Sequence, residues 1–232
     1  MLGETSLKPK CMTKIYKNKT FLDMQIDSLK KSGIKKIYII TGYRQNKIKN
    51  FEIKKLKNEK WKNSNMVFSL LHAKHLLSKY NCIISYSDII YTPKTVKNLI
   101  KKSKDNICIL YDEKWKTLWS RRFKNPLDDA ESFDINKKSE ILDIGNKASD
   151  IKKIKGQFMG LIKTYPNGWR LIKKYINKLP KADIKKLQTT ALLNMLIKNK
   201  VVKVKGVKNV GKWCEIDSLH DLKIAKKIFN NE

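Results

Sequence analysis

The hydrophobic positions of the first half of this chain form two alternating patterns. Short apolar runs predict buried strands, and apolar residues three and four apart predict amphipathic helices. The predicted strands are 36–41, 82–84 and 106–111, and the predicted helices are 20–33, 66–76 and 95–102. Helices that alternate with strands in this way are typical of an α/β fold with a mostly parallel sheet. The segment 44–56 has no clear period and is predicted as a short helix and a loop.

The second half changes character, because its apolar runs are shorter and two of them lie close together. The predicted strands are 133–135, 140–144, 156–164, 201–207 and 212–216, and the predicted helices are 167–179 and 183–198. A last helix begins after Ser218, with Asp221 at the position of a capping box. We expect the strands 133–135 and 140–144 to form a hairpin, and residues 1–232 to form a single domain.

The stretch from Asn81 to Tyr91 is the strongest local pattern in the chain. Cys82, Ile83 and Ile84 form a buried run that ends in a polar segment containing Asp88. A strand that presents a carboxylate at its C-terminal end is how open α/β sheets build metal or phosphate sites. The alternative is that Asp88 only caps a turn, since turns favour aspartate for their own reasons.

Composition narrows the choice of partners. The net charge is +31, but the basic residues are almost all lysines spread along the chain, and arginine occurs at only four positions. Bidentate phosphate and base recognition favour arginine, so the composition argues against nucleic acid as the main partner. The positive field would nevertheless attract an anionic substrate.

The cysteines and the hydropathy indicate the compartment. The four cysteines have no metal-binding spacing, and Cys82 and Cys108 lie within apolar runs, so a reducing cytoplasm is expected. No apolar run approaches the roughly 18 residues of a membrane span.

Eight short segments, read together, carry a resemblance to a known family. They are Lys-Pro-Lys-Cys-Met at 8–12, Ile-Thr-Gly-Tyr at 40–43, Asn-Met-Val-Phe-Ser-Leu at 65–70, Ser-Tyr-Ser-Asp at 85–88, Trp-Lys-Thr-Leu-Trp at 115–119, Asn-Pro-Leu-Asp-Asp-Ala-Glu at 125–131, Gly-Gln-Phe-Met-Gly at 156–160 and Glu-Ile-Asp-Ser at 215–218. In this order they resemble the nucleotidyltransferases that join a nucleoside monophosphate to a phosphorylated acceptor. The resemblance is greatest to the phosphocholine and 2-aminoethylphosphonate cytidylyltransferases.

The resemblance implies a fold and an activity. The fold is a Rossmann-like, mostly parallel sheet flanked by helices, with a nucleotide-binding half at 1–111 and an acceptor-binding half at 112–232 that includes a small mixed β subregion. The activity is Mg²⁺-dependent transfer of CMP from CTP to a small phosphorylated or phosphonylated amine, with release of pyrophosphate. The alternatives are a sugar-1-phosphate nucleotidyltransferase that uses another nucleotide, and a truncated, inactive relative with a basic binding surface. A homodimer is left open.

The resemblance also implies roles for individual residues. The catalytic residues would be Lys10, Asp88 and Lys147; the Mg²⁺ ligands Asp88 and Asp217; and the nucleotide-binding residues Gly42, Tyr43, Asn65, Ser69 and Ser87. Lysines would hold phosphates as point charges, and about two carboxylates suffice for Mg²⁺ when phosphates and water complete its shell.

The acceptor is predicted from an aromatic cluster with nearby carboxylates. Trp115 and Trp119 are four residues apart and would share one face of a helix. The other candidate acceptor residues are Tyr91, Trp213, Asp129 and Glu131. Aromatic faces beside a carboxylate bind cationic amines. The alternative for the tryptophan pair is ordinary core packing.

One segment of the family pattern is missing. The family begins with a strand and a glycine-rich loop before its Lys-Pro-Lys stretch, whereas this chain begins at Met1. A start internal to a longer gene is the explanation we favour over loss of the triphosphate loop. We expect the neighbours of the absent strand to be unpaired, and solubility or turnover of this chain to be poor, which a turnover assay measures.

Overall fold

A computed structural model describes residues 6–16, 18–49 and 53–230 of the chain. The helices are α1 Phe21–Lys30, α2 Met66–Leu70, α3 Lys74–Leu77, α4 Pro93–Lys102, α5 Trp115–Arg122, α6 Pro166–Ile176, α7 Lys181–Lys186, α8 Thr189–Lys198 and α9 Leu219–Phe229. The strands are β1 Lys14–Tyr16, β2 Lys19–Thr20, β3 Tyr38–Thr41, β4 Lys54–Lys57, β5 Cys82–Ser85, β6 Ile89–Tyr91, β7 Ile107–Asp112, β8 Glu131–Ile135, β9 Ile141–Lys147, β10 Gln157–Thr164, β11 Val204–Lys208 and β12 Trp213–Glu215. Among the described residues, no helix combines the length and the apolar character needed to cross a membrane.

The central sheet has the strand order β11-β7-β10-β5, and helices flank it as predicted for an α/β fold. β11 and β7 are parallel, but β10 is antiparallel to both of its neighbours. β10 follows the β8–β9 hairpin without a crossover helix, so it enters the sheet in the opposite direction. The sheet is therefore mixed.

Local sequence signals located several element boundaries correctly. Thr20 and Asp23 form a capping box at the start of α1, and Ser218 and Asp221 form another at the start of α9. The predicted hairpin is present as β8 and β9. In each case the signal lies within a few residues of the boundary that it specifies.

Other elements differ from the prediction. β4, which pairs in parallel with β3, lies inside the segment predicted as helix and loop; residues 50–52 of that segment lie outside the described residues. Lysine-rich β4 has no apolar alternation, as is common for strands that face solvent. The helix predicted at 66–76 is interrupted by a 3₁₀ turn at Leu71–Ala73, and the helix predicted at 183–198 is divided into α7 and α8.

The core consists of two clusters of buried side chains. The larger one runs through the central sheet and contains residues from Ile15 to Phe229, including the fully buried ring of Trp115. A smaller cluster joins α1 to the segments beside β3 and β4; its members are Cys11, Leu22, Ile26, Ile48 and Ile53.

A cavity of about 760 Å³ lies between β3 and β5. Among the described residues, β3 pairs only with β4, and β5 pairs only with β10. The first four residues of β7 are buried, whereas every residue of β5 is only half-buried. Apolar side chains such as Ile40 and Ile84 line the space between these two strands.

The turn between β8 and β9 contains a carboxylate with a strongly lowered pKa. Asn136 donates to Glu140 Oε2 at 3.0 Å, and Lys203 contacts Glu140 Oε1 at 3.0 Å. The hydrogen bonds from Asn136 and Lys203, of which the Asn136 bond has the larger effect, lower the pKa of Glu140 from 4.5 to about 2. Because the folded pKa is depressed, this contribution to stability is present above pH 4.5 and is lost as the pH falls towards 2.

We therefore expect Glu140→Gln to lower the melting temperature at pH 7 by a small amount that shrinks below pH 4.5. Thermal melts of both proteins between pH 3 and pH 7 measure the difference. A difference that stays constant over this range would contradict the assignment.

Candidate active site

The ends of two strands bring Asp88 and Asp217 together. β6 and β12 are antiparallel, with Ile89 opposite Glu215. Beyond this pair, the Ile216 N–H donates to the Asp88 carbonyl oxygen at 2.9 Å. Asp88 therefore lies just before β6, and Asp217 just after β12, at the same end of this two-stranded ladder.

Lys10 connects the two carboxylates. Its Nζ lies 2.5 Å from Asp217 Oδ1 and 3.3 Å from Asp88 Oδ2. The 3₁₀ turn Lys10–Met12 positions this side chain, and the buried Cys11 anchors the turn in the smaller core cluster. Burial lowers the pKa of Lys10, but Asp88 and Asp217 outweigh it, and the net shift is upward. Lys10 thus remains a cation between two anions.

A second cation, Arg122, lies behind this pair at the end of α5. Its side chain is completely buried, and its guanidinium lies over the rings of Trp119 and Phe123 at 5.1 and 5.0 Å. Its carboxylate contacts are Nη1 with Glu215 at 2.7 Å, Nη2 with Asp217 Oδ2 at 2.9 Å, Nε with Asp221 at 3.0 Å and Nη1 with Asp129 at 3.9 Å. We call these five residues the Arg122 cluster. A fork of donors in a fixed plane restricts where each carboxylate can lie.

Burial and the charge of Arg122 together set the direction in which the pKa values of Glu215 and Asp221 shift. Burial raises the pKa of Glu215 above its usual value, although Arg122 acts in the opposite sense. For Asp221 the balance is reversed: burial raises its pKa, but Arg122 and the hydrogen bonds at the start of α9 outweigh burial and lower it. Within the cluster, Asp221 is therefore the carboxylate that stays ionised beside Arg122.

The chemistry of the pair suits a hard divalent cation. Asp88 Oδ1 is buried and has no hydrogen-bond partner among the described residues, which is the condition that a metal ion would relieve. Carboxylate oxygens are the protein ligands that Mg²⁺ prefers. Within the described part of the chain, no group of three or more His, Cys, Asp or Glu side chains is placed to hold a metal. Asp88 and Asp217 would therefore need oxygens from a ligand to complete a coordination shell.

Three of the predicted nucleotide-binding residues line the same cavity as Asp88. Asn65, Ser69 and Ser87 line it together with apolar residues of β3 and β5. Asn65 also caps α2, and its amide donates to the Lys186 carbonyl oxygen. The Asn65 side chain therefore has structural partners in addition to lining the cavity.

Gly42 and Tyr43 follow β3 and contact Trp61. A Cβ at Gly42 would lie 2.5 Å from Trp61 Cβ, so only glycine fits there without a shift. The Tyr43 ring meets Trp61 edge-on at 5.3 Å, and its hydroxyl donates to the Ser6 carbonyl at 2.5 Å. This contact ties the segment before Lys10 to the end of β3.

Lys147 lies at the exposed end of β9, opposite Glu131. No hydrogen bond or ion pair among the described residues joins it to Lys10, Asp88 or Asp217. The structure therefore does not bring Lys147 into direct contact with the carboxylate pair, and its catalytic role stays a prediction.

The aromatic residues assigned to the acceptor lie mostly inside the core. Trp115 and Tyr91 are each 1% exposed, Trp119 is 3% exposed and Trp213 is 5% exposed. Trp119 packs against Trp115 and Trp213 with ring centroids 6.0 Å apart in both pairs. The arrangement favours the core-packing alternative, because ring faces that contact other rings cannot also enclose an amine.

Asp129 and Glu131 are placed differently from these rings. Asp129 is exposed, belongs to the Arg122 cluster and accepts a hydrogen bond from Trp119 Nε1 at 3.1 Å. Glu131 is half-buried and accepts from Thr190 Oγ1 at 3.4 Å. Burial raises the pKa of Glu131. Neither carboxylate is buried, in contrast to the four aromatic residues.

The site residues that the sequence analysis missed are Arg122, Glu215 and Asp221. A weak signal was present, because Glu215, Asp217 and Asp221 follow one another closely and arginine is rare in this chain. Nothing in the local pattern connects them to Arg122, which lies 93 residues before Glu215.

Comparisons with known proteins identify a relative of this chain. The chain is 34% identical over 236 aligned positions to a CTP:phosphoglutamine cytidylyltransferase of Campylobacter jejuni, covering 95% of this chain and 92% of that protein. No family model matches the chain.

Solved structures show the same fold. The inositol-1-phosphate CTP transferase of T. maritima matches with a TM-score of 0.77 and 14% identity, covering 99% of this chain and 89% of that one. A CTP:phosphocholine cytidylyltransferase of Streptococcus pneumoniae matches with a TM-score of 0.69 and 19% identity, covering 97% and 91%.

Proposed function

Since this chain belongs to the nucleotidyltransferase family and is of its cytidylyltransferase type, we propose that it transfers CMP from CTP to a small phosphorylated acceptor that carries an ammonium group. Phosphoglutamine is the first candidate for that acceptor, because it is the substrate named for the relative with 34% identity. A cytoplasmic location belongs to the same proposal, since the four cysteines are free thiols.

The observation that carries this proposal is the meeting of Asp88 and Asp217 at one cation. Their carboxylates come from distant parts of the chain and both contact Lys10 Nζ. CTP and a phosphorylated acceptor are both anions, so the protein has to align them and offset their repulsion. A pair of carboxylates with a lysine beside it supports that role.

The proposal includes Mg²⁺ held by Asp88 and Asp217, with Lys10 on the nucleotide phosphates. Bound there, the ion would reduce the negative charge that repels the attacking oxygen. The orphaned Asp88 Oδ1 supports this assignment. Arg122 keeps Asp217 in place through Oδ2 and leaves its other oxygen in contact with Lys10.

The transfer itself needs no protein nucleophile. An oxygen of the acceptor phosphate forms a bond to the α-phosphorus of CTP, and the bond from that phosphorus to the oxygen bridging to the β-phosphorus breaks. Pyrophosphate leaves with the electron pair of that bond, and the product joins CMP to the acceptor through a pyrophosphate linkage. Positioning and charge stabilisation are therefore what the side chains contribute.

The carboxylates near the site favour one kind of amine. Asp129 and Glu131 can accept hydrogen bonds from a primary ammonium, whereas a quaternary ammonium has no N–H to donate. Quaternary amines bind best to open aromatic faces, and Trp115 and Tyr91 have none. This contrast favours phosphoglutamine and 2-aminoethylphosphonate over phosphocholine.

We expect pyrophosphate release only when CTP, Mg²⁺ and the acceptor are all present. An assay with phosphoglutamine, 2-aminoethylphosphonate, phosphocholine and glucose 1-phosphate, each with CTP, UTP and dTTP, measures the preference. The highest kcat/KM is expected for CTP with phosphoglutamine. Preference for a sugar 1-phosphate with another nucleotide would instead identify a sugar-phosphate enzyme.

The absence of turnover in this assay would favour the alternative of an inactive relative with a basic binding surface. If no nucleotide and no acceptor gives turnover while the protein is folded by circular dichroism, the enzymatic proposal fails for this chain. Filter binding to RNA and to acidic peptides would then test the basic surface that a net charge of +31 provides.

A further inference from the structure

The two cations at the carboxylate pair differ in how firmly they are held. Arg122 has a completely buried side chain, with ion pairs to Glu215, Asp217 and Asp221. The Lys10 side chain is 26% exposed, and among the described residues it forms ion pairs with Asp88 and Asp217 alone. Arg122 is therefore a fixed part of the site, while Lys10 can leave by rotating its flexible stem.

The oxygens that Lys10 contacts are those that a metal ion would need. Asp217 Oδ2 is bonded to Arg122, so Oδ1 is the oxygen that remains, and Lys10 lies 2.5 Å from it. On Asp88, Lys10 contacts Oδ2, while Oδ1 is buried and finds no hydrogen-bond partner in the described part of the chain. A divalent ion bound to the pair would repel an ammonium at such distances, because the two cations would lie within a few ångströms of each other.

We propose that the Lys10 ammonium and the divalent ion compete for Asp88 and Asp217, so that the ion binds tightly only when nucleotide phosphates draw Lys10 away. Lys10 then has two positions: on the carboxylates before substrate binds, and on the phosphates afterwards. The exchange keeps the pair neutralised in both states and makes metal binding depend on the nucleotide. This inference rests on the proposed function, because it takes Asp88 and Asp217 as the metal ligands.

If Lys10 and the metal ion compete, removing the charge of Lys10 should increase the affinity of the protein for the metal. Lys10→Met keeps an unbranched, flexible side chain one atom shorter and removes its charge. We expect the variant to bind Mn²⁺ without nucleotide at least about tenfold more tightly than the wild type, because no ammonium has to be displaced. Isothermal titration with Mn²⁺, checked by the electron paramagnetic resonance signal of the free ion, measures both affinities.

The control is Lys14→Met, four residues away. Lys14 is exposed on β1 and its Nζ is 3.4 Å from Asn18, so this variant makes the same change in net charge without touching the pair. Its Mn²⁺ affinity should match that of the wild type. An equal gain in Lys14→Met would show that net charge alone sets the affinity, and would overturn the competition.

Thermal melts provide a second readout that does not depend on turnover. Without metal, Lys10→Met leaves two carboxylates facing each other, so it should melt below the wild type. Saturating Mn²⁺ should raise its melting temperature by more than it raises that of the wild type. An equal or smaller rise in the variant contradicts the proposal, even if the variant is only partly folded without metal.

The outcomes also separate this inference from the proposed function. If the wild type binds Mn²⁺ in the presence of CTP but Lys10→Met gains nothing with the metal alone, only the competition is refuted. If Mn²⁺ fails to bind the wild type even with CTP, and Asp88→Asn behaves identically, the metal assignment in the proposed function is refuted as well.

Discussion

Replacement of Asp88 by asparagine is expected to lower kcat by a factor of about 10³ or more while the protein stays folded. Asparagine has nearly the same shape, but it carries no charge and offers only one oxygen. Asp88 lies beside Lys10 and Asp217, and its Oδ1 has no hydrogen-bond partner among the described residues. The substitution therefore removes one of the two carboxylates proposed for Mg²⁺ and disturbs few structural contacts.

Pyrophosphate release with saturating CTP and acceptor measures kcat, and a thermal melt reports the fold. Asp105→Asn is the matched control, because Asp105 is an exposed aspartate in the turn before β7. Its turnover and melting temperature should equal those of the wild type. If Asp88→Asn kept more than about a tenth of wild-type turnover, the carboxylate would not hold an essential ion.

Replacement of Arg122 by methionine is expected to lower the free energy of unfolding at pH 7 by about 3 kcal/mol or more. Methionine fills a similar volume against Trp119 and Phe123, but it leaves the carboxylates of the Arg122 cluster without their cation. Asp221, whose side chain is 4% exposed, would lose its ion-pair partner in a buried position. Turnover should fall too, because Asp217 loses the contact that fixes its orientation.

Urea denaturation of both proteins measures this loss. The deficit should shrink as the pH falls towards 4, because carboxylates left without a cation accept protons more readily. Arg121→Met is the control: Arg121 precedes Arg122 in α5, but its side chain is exposed. A similar loss in Arg121→Met would indicate that the effect comes from the helix and not from the ion pairs.

Arg122→Lys tests the geometry separately from the charge. Lysine keeps one positive charge but cannot present three donors in a plane to Glu215, Asp217 and Asp221. We expect most of the stability to return and most of the turnover to stay lost. Full recovery of turnover would mean that Asp217 needs a neighbouring charge but no fixed orientation.

Much of the local structure could be predicted because its causes lie close together in the chain. The capping box of Thr20 and Asp23 and that of Ser218 and Asp221 each involve residues three apart. The strand that precedes Asp88 could be predicted from the apolar residues of β5 alone, although the structure leaves these residues half-buried and not buried as predicted. Where the pattern was weak, as in the lysine-rich β4, the same reasoning missed the strand.

The site residues could be identified from local segments, but their meeting in space could not. The short segments that resemble a known family identified Asp88, Asp217 and Lys10 as candidates. Their meeting depends on contacts across 78 and 207 residues, and these exist because β6 pairs with β12. No local pattern encodes which strands will be neighbours.

The sequence by itself determined the α/β class, the helix starts and the carboxylate at the end of β5, because propensity, capping and hydrophobic period act over a few residues. Only the tertiary structure decided that Arg122 lies behind the carboxylates, that Trp115 and Tyr91 face the core, and that β10 runs antiparallel in the sheet. These features depend on which distant surfaces pack together. Burial and charge pairing are properties of the assembled fold, so they could not be derived from any single stretch of the chain.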